Sequence, residues 1–182
     1  MVDYSHPQYF AVQNANEVLQ EFLVAAKKYR GQAKFVIKFK RYNDLWRVVW
    51  DYPHILWSGI RLIGTGAMQP ILKQSTGVIG TVSMGLVEAY LANAAIIVPW
   101  WAEALTRKQM YFSPDVPEDL ETAYFPKSRS ELANMIEAMV AGQLPPKGTR
   151  GQRFAQFRRY AAIDENEPAS VKVTRFVKRH IQ

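Results

Sequence analysis

The sequence predicts an α/β fold, a doubly wound parallel sheet that ends in a helical tail. Three observations carry this expectation. Short apolar runs alternate with stretches of helical periodicity along most of the 182 residues, the alternation that builds parallel sheets from βαβ units. The segment from Gly77 to Trp101, GVIGTVSMGLVEAYLANAAIIVPWW, reads as one such unit, complete in itself. Finally, Pro145-Pro146-Lys147-Gly148 breaks the pattern, which divides the chain into an α/β domain over 1-146 and a basic helical tail over 147-182.

Taken in order, residues 1–12 (MVDYSHPQYFAV) are aromatic and irregular, and Pro7 demotes any strand there to an edge. Asn14 and Glu17 are spaced to cap a helix whose apolar stripe is Val18, Leu19, Phe22, Leu23 and Ala26, with Gly31 ending it. Ala33 to Phe39 follows as a strand with Lys38 near its carboxyl end. The turn Lys38-Phe39-Lys40-Arg41 suits a solvated surface as well as it suits a phosphate. Tyr42 to Trp50 reads as a short helix with Trp46, Val49 and Trp50 inward. Pro53-His54 is a loop, and His54 has no carboxylate or second histidine at ligand spacing, so it reads as a hydrogen-bonded loop residue and not as a metal ligand. Ile60 to Ile63 is the next strand. The tight turn at its carboxyl end, Gly64-Thr65-Gly66, fits either a closely approaching ligand or a loop that needs positive φ. A short helix, Pro70 to Gln74, leads to the strand Val78 to Gly80.

Ser83 is placed to cap the helix that follows, where Gly85, Leu86, Val87, Tyr90 and Leu91 fall at helical spacing and Asn93 closes the turn. Ala94 to Val98 is too short and too β-branched for a helix, so it is a buried strand, stopped by Pro99. A right-handed crossover leaves the helix start at the carboxyl edge of the sheet. Backbone amides of Ser83, Met84 and Gly85 would favour an anion there. Glu88, one turn above Gly85, is on the same face and in reach of a hydroxyl on whatever carries that anion. Trp100, beside Trp101 at this edge, suits stacking on a base or sugar ring as well as covering a core or subunit contact.

Arg107 to Glu121, with Pro114 and Pro117, reads as a loop or lid, and Thr122 to Phe125 as a last strand. Ser128 with Glu131 forms a capping box, ahead of a helix whose apolar face is Leu132, Met135, Ile136, Met139 and Val140 and whose end is Gly142. In the tail, Phe154, Phe157 and Tyr160 are interleaved with Arg153, Arg158 and Arg159 on an amphipathic helix. Ala169 to His180 is expected to form another, with Val173, Phe176 and Val177 inward.

Composition narrows the classes further. With 48% hydrophobic and 21% charged residues the chain is an ordinary globular domain. No apolar run approaches the ~20 residues of a membrane span, and the first thirty residues lack a basic start followed by an apolar core. The absence of cysteine excludes disulfides, thiolate metal sites and a cysteine nucleophile, and fits a cytoplasmic address. The net charge of +7 is uneven. Lys147 to Gln182 holds nine Lys/Arg and three Asp/Glu, a surplus of six, against fourteen and thirteen in the remainder, a surplus of one. Such a tail draws nucleic acid or anionic membrane, or is simply a solvated helix face.

The run Ser83-Met84-Gly85-Leu86-Val87-Glu88-Ala89, continuing to Ala94-Ala95-Ile96-Ile97-Val98, resembles the Ser…Glu-Ala…Gly-Lys-Pro-Val-Ile signature in the C-terminal domain of GT-B glycosyltransferases. Capsule-polysaccharide transferases and nucleotide-sugar 2-epimerases share that signature. Asn93-Ala94-Ala95 departs from the family's Gly-x-Pro, and Lys38-Phe39-Lys40-Arg41 departs from its Lys-x-His-Pro. The resemblance implies a Rossmann-like donor-binding domain for surface polysaccharide or glycoconjugate synthesis. In it Ser83, Met84 and Gly85 take the diphosphate of a nucleotide sugar, Lys38 assists, Glu88 holds the ribose, and Gly64, Thr65 and Gly66 lie near the base. No further cofactor or metal is implied, since the nucleotide-diphosphate sugar is itself the donor substrate. A full enzyme of this type has a second, N-terminal acceptor domain, so the resemblance implies a partner domain or chain, with self-association through the surface it leaves uncovered. The expected address, from the cysteine-free composition and the basic tail, is the cytoplasm with peripheral contact at the inner membrane face.

Overall fold

A computed structural model describes residues 12–39, 42–80, 83–106 and 112–161. The edge strand expected within residues 1–12, the basic pair Lys40 and Arg41, and the second tail helix over 169–180 lie wholly or almost wholly outside them.

Seven α-helices and four short strands are seen among the described residues. In chain order they are α1 (Val12–Lys28), β1 (Val36–Lys38), α2 (Tyr42–Asp51), β2 (Arg61–Ile63), α3 (Gln69–Leu72), β3 (Gly77–Ile79), α4 (Met84–Ala89), β4 (Ala95–Ile97), α5 (Pro117–Thr122), α6 (Arg129–Val140) and α7 (Arg150–Ala161). Two 3₁₀ turns, Pro53–Trp57 and Ala102–Thr106, join them. The fold is α/β. The strands form two separate two-stranded sheets among the described residues, β1 paired in parallel with β2 and β3 with β4, and not the one continuous doubly wound sheet expected from the sequence, because no hydrogen-bonded ladder joins β1 to β3. The last expected strand is reduced to an extended segment beside β4, where the Tyr124 amide donates to the Ile96 carbonyl at 2.8 Å and the Val98 amide to the Tyr124 carbonyl at 2.8 Å.

Alternation along β3 and β4 divides the interior. Val78, Ile96 and Val98 point into one cluster with Leu86, Val87, Tyr90 and Phe112, whereas Ile79 and Ile97 point into another with Leu19, Phe39, Leu132 and Ile136. The β3–β4 pair is thus covered on both faces, by α1 and α6 on one side and by α4 and α7 on the other. A strand buried on both faces must be apolar throughout, and Ala95, Ile96 and Ile97 are fully buried.

Several local expectations hold. In α1, Val18, Leu19, Leu23 and Ala26 are buried, and Gly31 follows at φ +85°. Ser128 Oγ accepts from the Glu131 amide at 3.2 Å, and the Glu131 carboxylate reaches back to the Lys127 amide at 2.7 Å. Gly142, at φ +71°, ends α6.

Others do not. Asn14 is not a cap. It is buried inside α1, where its Nδ2 donates to the Trp101 carbonyl at 2.9 Å while Glu17 accepts from Trp101 Nε1 at 2.7 Å. In α2, Trp46 and Trp50 face outward, because Leu45, Val48 and Val49 form the competing i, i+3, i+4 stripe that meets the core. The stretch read as a lid contains α5, opened by Pro117 in its first turn, and Phe112 and Asp119 are both fully buried.

Candidate functional site

The expected site residues lie at or after the carboxyl ends of strands, where ligands bind in open α/β sheets. Ser83 has extended backbone (φ −158°) at the start of α4, and its Oγ accepts from the Gly85 amide at 3.0 Å. The Leu86 amide donates to the Ser83 carbonyl at 3.0 Å. The Gly85 amide, expected to face an anion, is therefore satisfied by the protein itself. The Met84 amide has no partner among the described residues, and the Ser83 hydroxyl keeps its proton as a donor. Met84's side chain is exposed. Glu88 is half-buried on α4 and makes no side-chain hydrogen bond or ion pair with any described residue.

The structure gives Lys38 a different setting from the solvated turn. Its side chain is buried, and Nζ donates to the Phe39 carbonyl at the end of β1. Gly64 is buried, and a methyl group there would lie 2.8 Å from Cδ2 of Tyr42. Thr65 is exposed, and Gly66 has φ +101° in open space, so the turn has its own conformational need for glycine. Trp100 is half-buried edge-on to Phe125, with ring centroids 5.9 Å apart, and its amide donates to the Pro126 carbonyl at 2.8 Å. Trp101 belongs to the core. His54 is exposed, edge-on to Tyr52. Among the described residues no three His, Asp or Glu side chains gather as a metal site would require.

A polar cluster beside α4 was missed in sequence. Arg153 on α7 is buried, and its guanidinium donates to the carbonyls of Ala89, Ala92 and Ala94 at 2.9, 2.7 and 2.9 Å, and to that of Tyr90 at 3.3 Å. They run from the last residue of α4 to the residue before β4, and the Ala89 carbonyl accepts from the Ala92 amide as well, at 3.1 Å. Next to it the Tyr160 hydroxyl lies 2.7 and 2.6 Å from the two oxygens of Asp119, and the Ser113 amide donates to the same carboxylate at 3.0 Å. Burial pushes the Asp119 carboxyl above its ordinary range despite these donors, and burial likewise raises Tyr90 and Tyr160. The rings of Tyr90, Phe112 and Tyr160 stack, with Phe112–Tyr160 centroids 5.0 Å apart. The only sequence signal was spacing: Arg153, Gln156, Phe157 and Tyr160 share one helical face, which two polar residues made look solvated.

No protein-family model, curated protein or solved structure matches the chain. No helix among the described residues is long and apolar enough to cross a membrane.

Proposed function

We propose that the chain binds a nucleotide sugar, as the donor-binding half of a GT-B type glycosyltransferase that makes surface polysaccharide or glycoconjugate and works with an acceptor domain or chain. The observation that carries this reading is the pairing, on one short helix after a parallel strand, of a Ser83 hydroxyl that donates to no described residue and a half-buried Glu88 with no side-chain partner among the described residues. The two-faced burial of β3 and β4 supports the finer fold assignment, a doubly wound Rossmann-like arrangement in which the separate β1–β2 and β3–β4 pairs act as parts of one layer. Ile37 and Phe39 of the β1 region share a core cluster with Ile79 and Ile97, as such a layer requires.

In this reading the Ser83 hydroxyl and the Met84 amide donate to the diphosphate, Lys38 adds charge after releasing the Phe39 carbonyl, and Glu88 accepts from the ribose hydroxyls. Donors preset around a leaving diphosphate stabilise the charge that develops as the glycosidic bond breaks. Gly64 to Gly66 and Trp100 flank the base. The reading is tested by calorimetric titration of nucleoside diphosphates into the protein and its Glu88→Ala variant.

The alternative, nucleic acid or membrane held by the basic tail, loses Arg153 to the interior and has Arg159 3.6 Å from Glu118. It keeps exposed Arg150 and Phe154. A salt-sensitive gel shift abolished by removing residues 147–182 would favour it over the nucleotide-sugar reading.

A further inference from the structure

The outward face of α2 carries Tyr42, Trp46 and Trp50 at intervals of four residues, with Trp50 88% exposed. The 3₁₀ turn that follows adds Leu56 and Trp57, the latter 73% exposed. Leu45, Val48 and Val49 supply the contacts that fasten α2 to the core, and Tyr42 meets Gly64 with one ring edge, whereas Trp46 and Trp50 are outside the core clusters. Isolated exposed apolar residues are ordinary, but five large ones on adjoining turns mark an interaction surface.

Charge indicates what covers it. Between Arg30 and Arg61 the sequence holds seven Lys/Arg and two Asp/Glu, a surplus of five, while the rest of residues 1–146 holds seven and eleven, a deficit of four. One of the seven, Lys38, is buried. Arg30 lies against Gly59, two residues beyond Trp57, within 4 Å of the position a Cβ would take there. Arg47, on α2 itself, is exposed with Asp51 4.0 Å away. Aromatic rings with polar edges, on a stretch of sequence with a basic surplus, have the composition that settles at the boundary between headgroups and acyl chains. Anionic headgroups complement the positive surplus. Rings that stand out from the surface suit a soft layer that closes around them.

We propose that this face docks the protein on the surface of an anionic bilayer, with the rings of Trp46, Trp50 and Trp57 in the headgroup layer. The inference is independent of nucleotide-sugar binding. It is tested by sedimenting the full chain with vesicles of phosphatidylglycerol and phosphatidylcholine in equal parts, and with phosphatidylcholine alone. Three of the five tryptophans lie on this face, so binding to the anionic vesicles should shift tryptophan emission to the blue. The variant carrying Trp46→Ser, Trp50→Ser and Trp57→Ser should bind those vesicles at least about tenfold more weakly with unchanged far-ultraviolet circular dichroism. Trp50→Ser alone should show part of the loss. Equal partition of the triple variant would assign vesicle binding to the basic tail and overturn the proposal. So would failure of the unaltered chain to sediment, or a dimer in solution that the triple variant abolishes while vesicle binding is absent.

Discussion

Arg153 donates to the carbonyl of Ala89 at 2.9 Å across 64 positions of sequence, and so fastens the last described helix to the end of α4. The helix that presents Ser83 and Glu88 is six residues long, too short to hold itself in water. Its start is closed by its own serine and its end by a distant arginine, so the geometry of the candidate site depends on α7.

Arg153→Met should therefore destabilise the protein by about 3 kcal/mol in urea denaturation, since it strips donors from several buried carbonyls at once. Arg153→Lys, with one nitrogen in place of a fork, should recover only part of that. A change under about 0.5 kcal/mol for the methionine variant would show that the carbonyls find other donors.

Asp119 sets a pH dependence. Its folded pKa is raised by burial above the ordinary 3.8, so the folded state holds this proton more tightly than the unfolded chain does. Its contribution to stability is fully present below the ordinary value and is lost as pH rises through the raised one. Asp119→Asn removes that contribution to the slope. Urea midpoints measured from acid to neutral pH should show the unaltered protein gaining on the variant as pH falls through this window. A constant difference would contradict the assignment.

Gly64→Ala would place a methyl group against the Tyr42 ring, at 2.8 Å from Cδ2. Tyr42 is exposed and can swing away, so the expected cost is about 1 kcal/mol in thermal denaturation. Gly64→Ala added to Tyr42→Ala should then cost less than it does alone. Equal costs in the two backgrounds would show that the Tyr42 ring is not what opposes the methyl group.

Much of this architecture could be read from periodicity. The Ser83 and Ser128 caps, the buried strand Ala95–Ile97 and the stripe of α1 are local features, each fixed by a few neighbouring residues. What misled was competition between faces. In α2 a tryptophan stripe and a smaller Leu-Val stripe were both available, and the compact one fitted the core. Asn14 has the chemistry of a cap yet bonds to Trp101, 87 positions away. Arg153 and Asp119 were illegible for the same reason, as their partners are remote in sequence and polar residues read as surface until those partners are known. Lys38 was placed correctly at the end of a strand, but its turn inward to the Phe39 carbonyl left no mark in the sequence.

The central claim is that Ser83 and Glu88 hold a nucleotide sugar at the start of α4. Calorimetric titration of UDP and GDP into the unaltered protein and into Glu88→Ala tests it most directly. The account predicts saturable binding of one of these nucleotides, at least about tenfold weaker in the variant, a loss of about 1.4 kcal/mol, with an unchanged unfolding midpoint. Equal affinity in the two proteins, or no heat from either nucleotide, would contradict it.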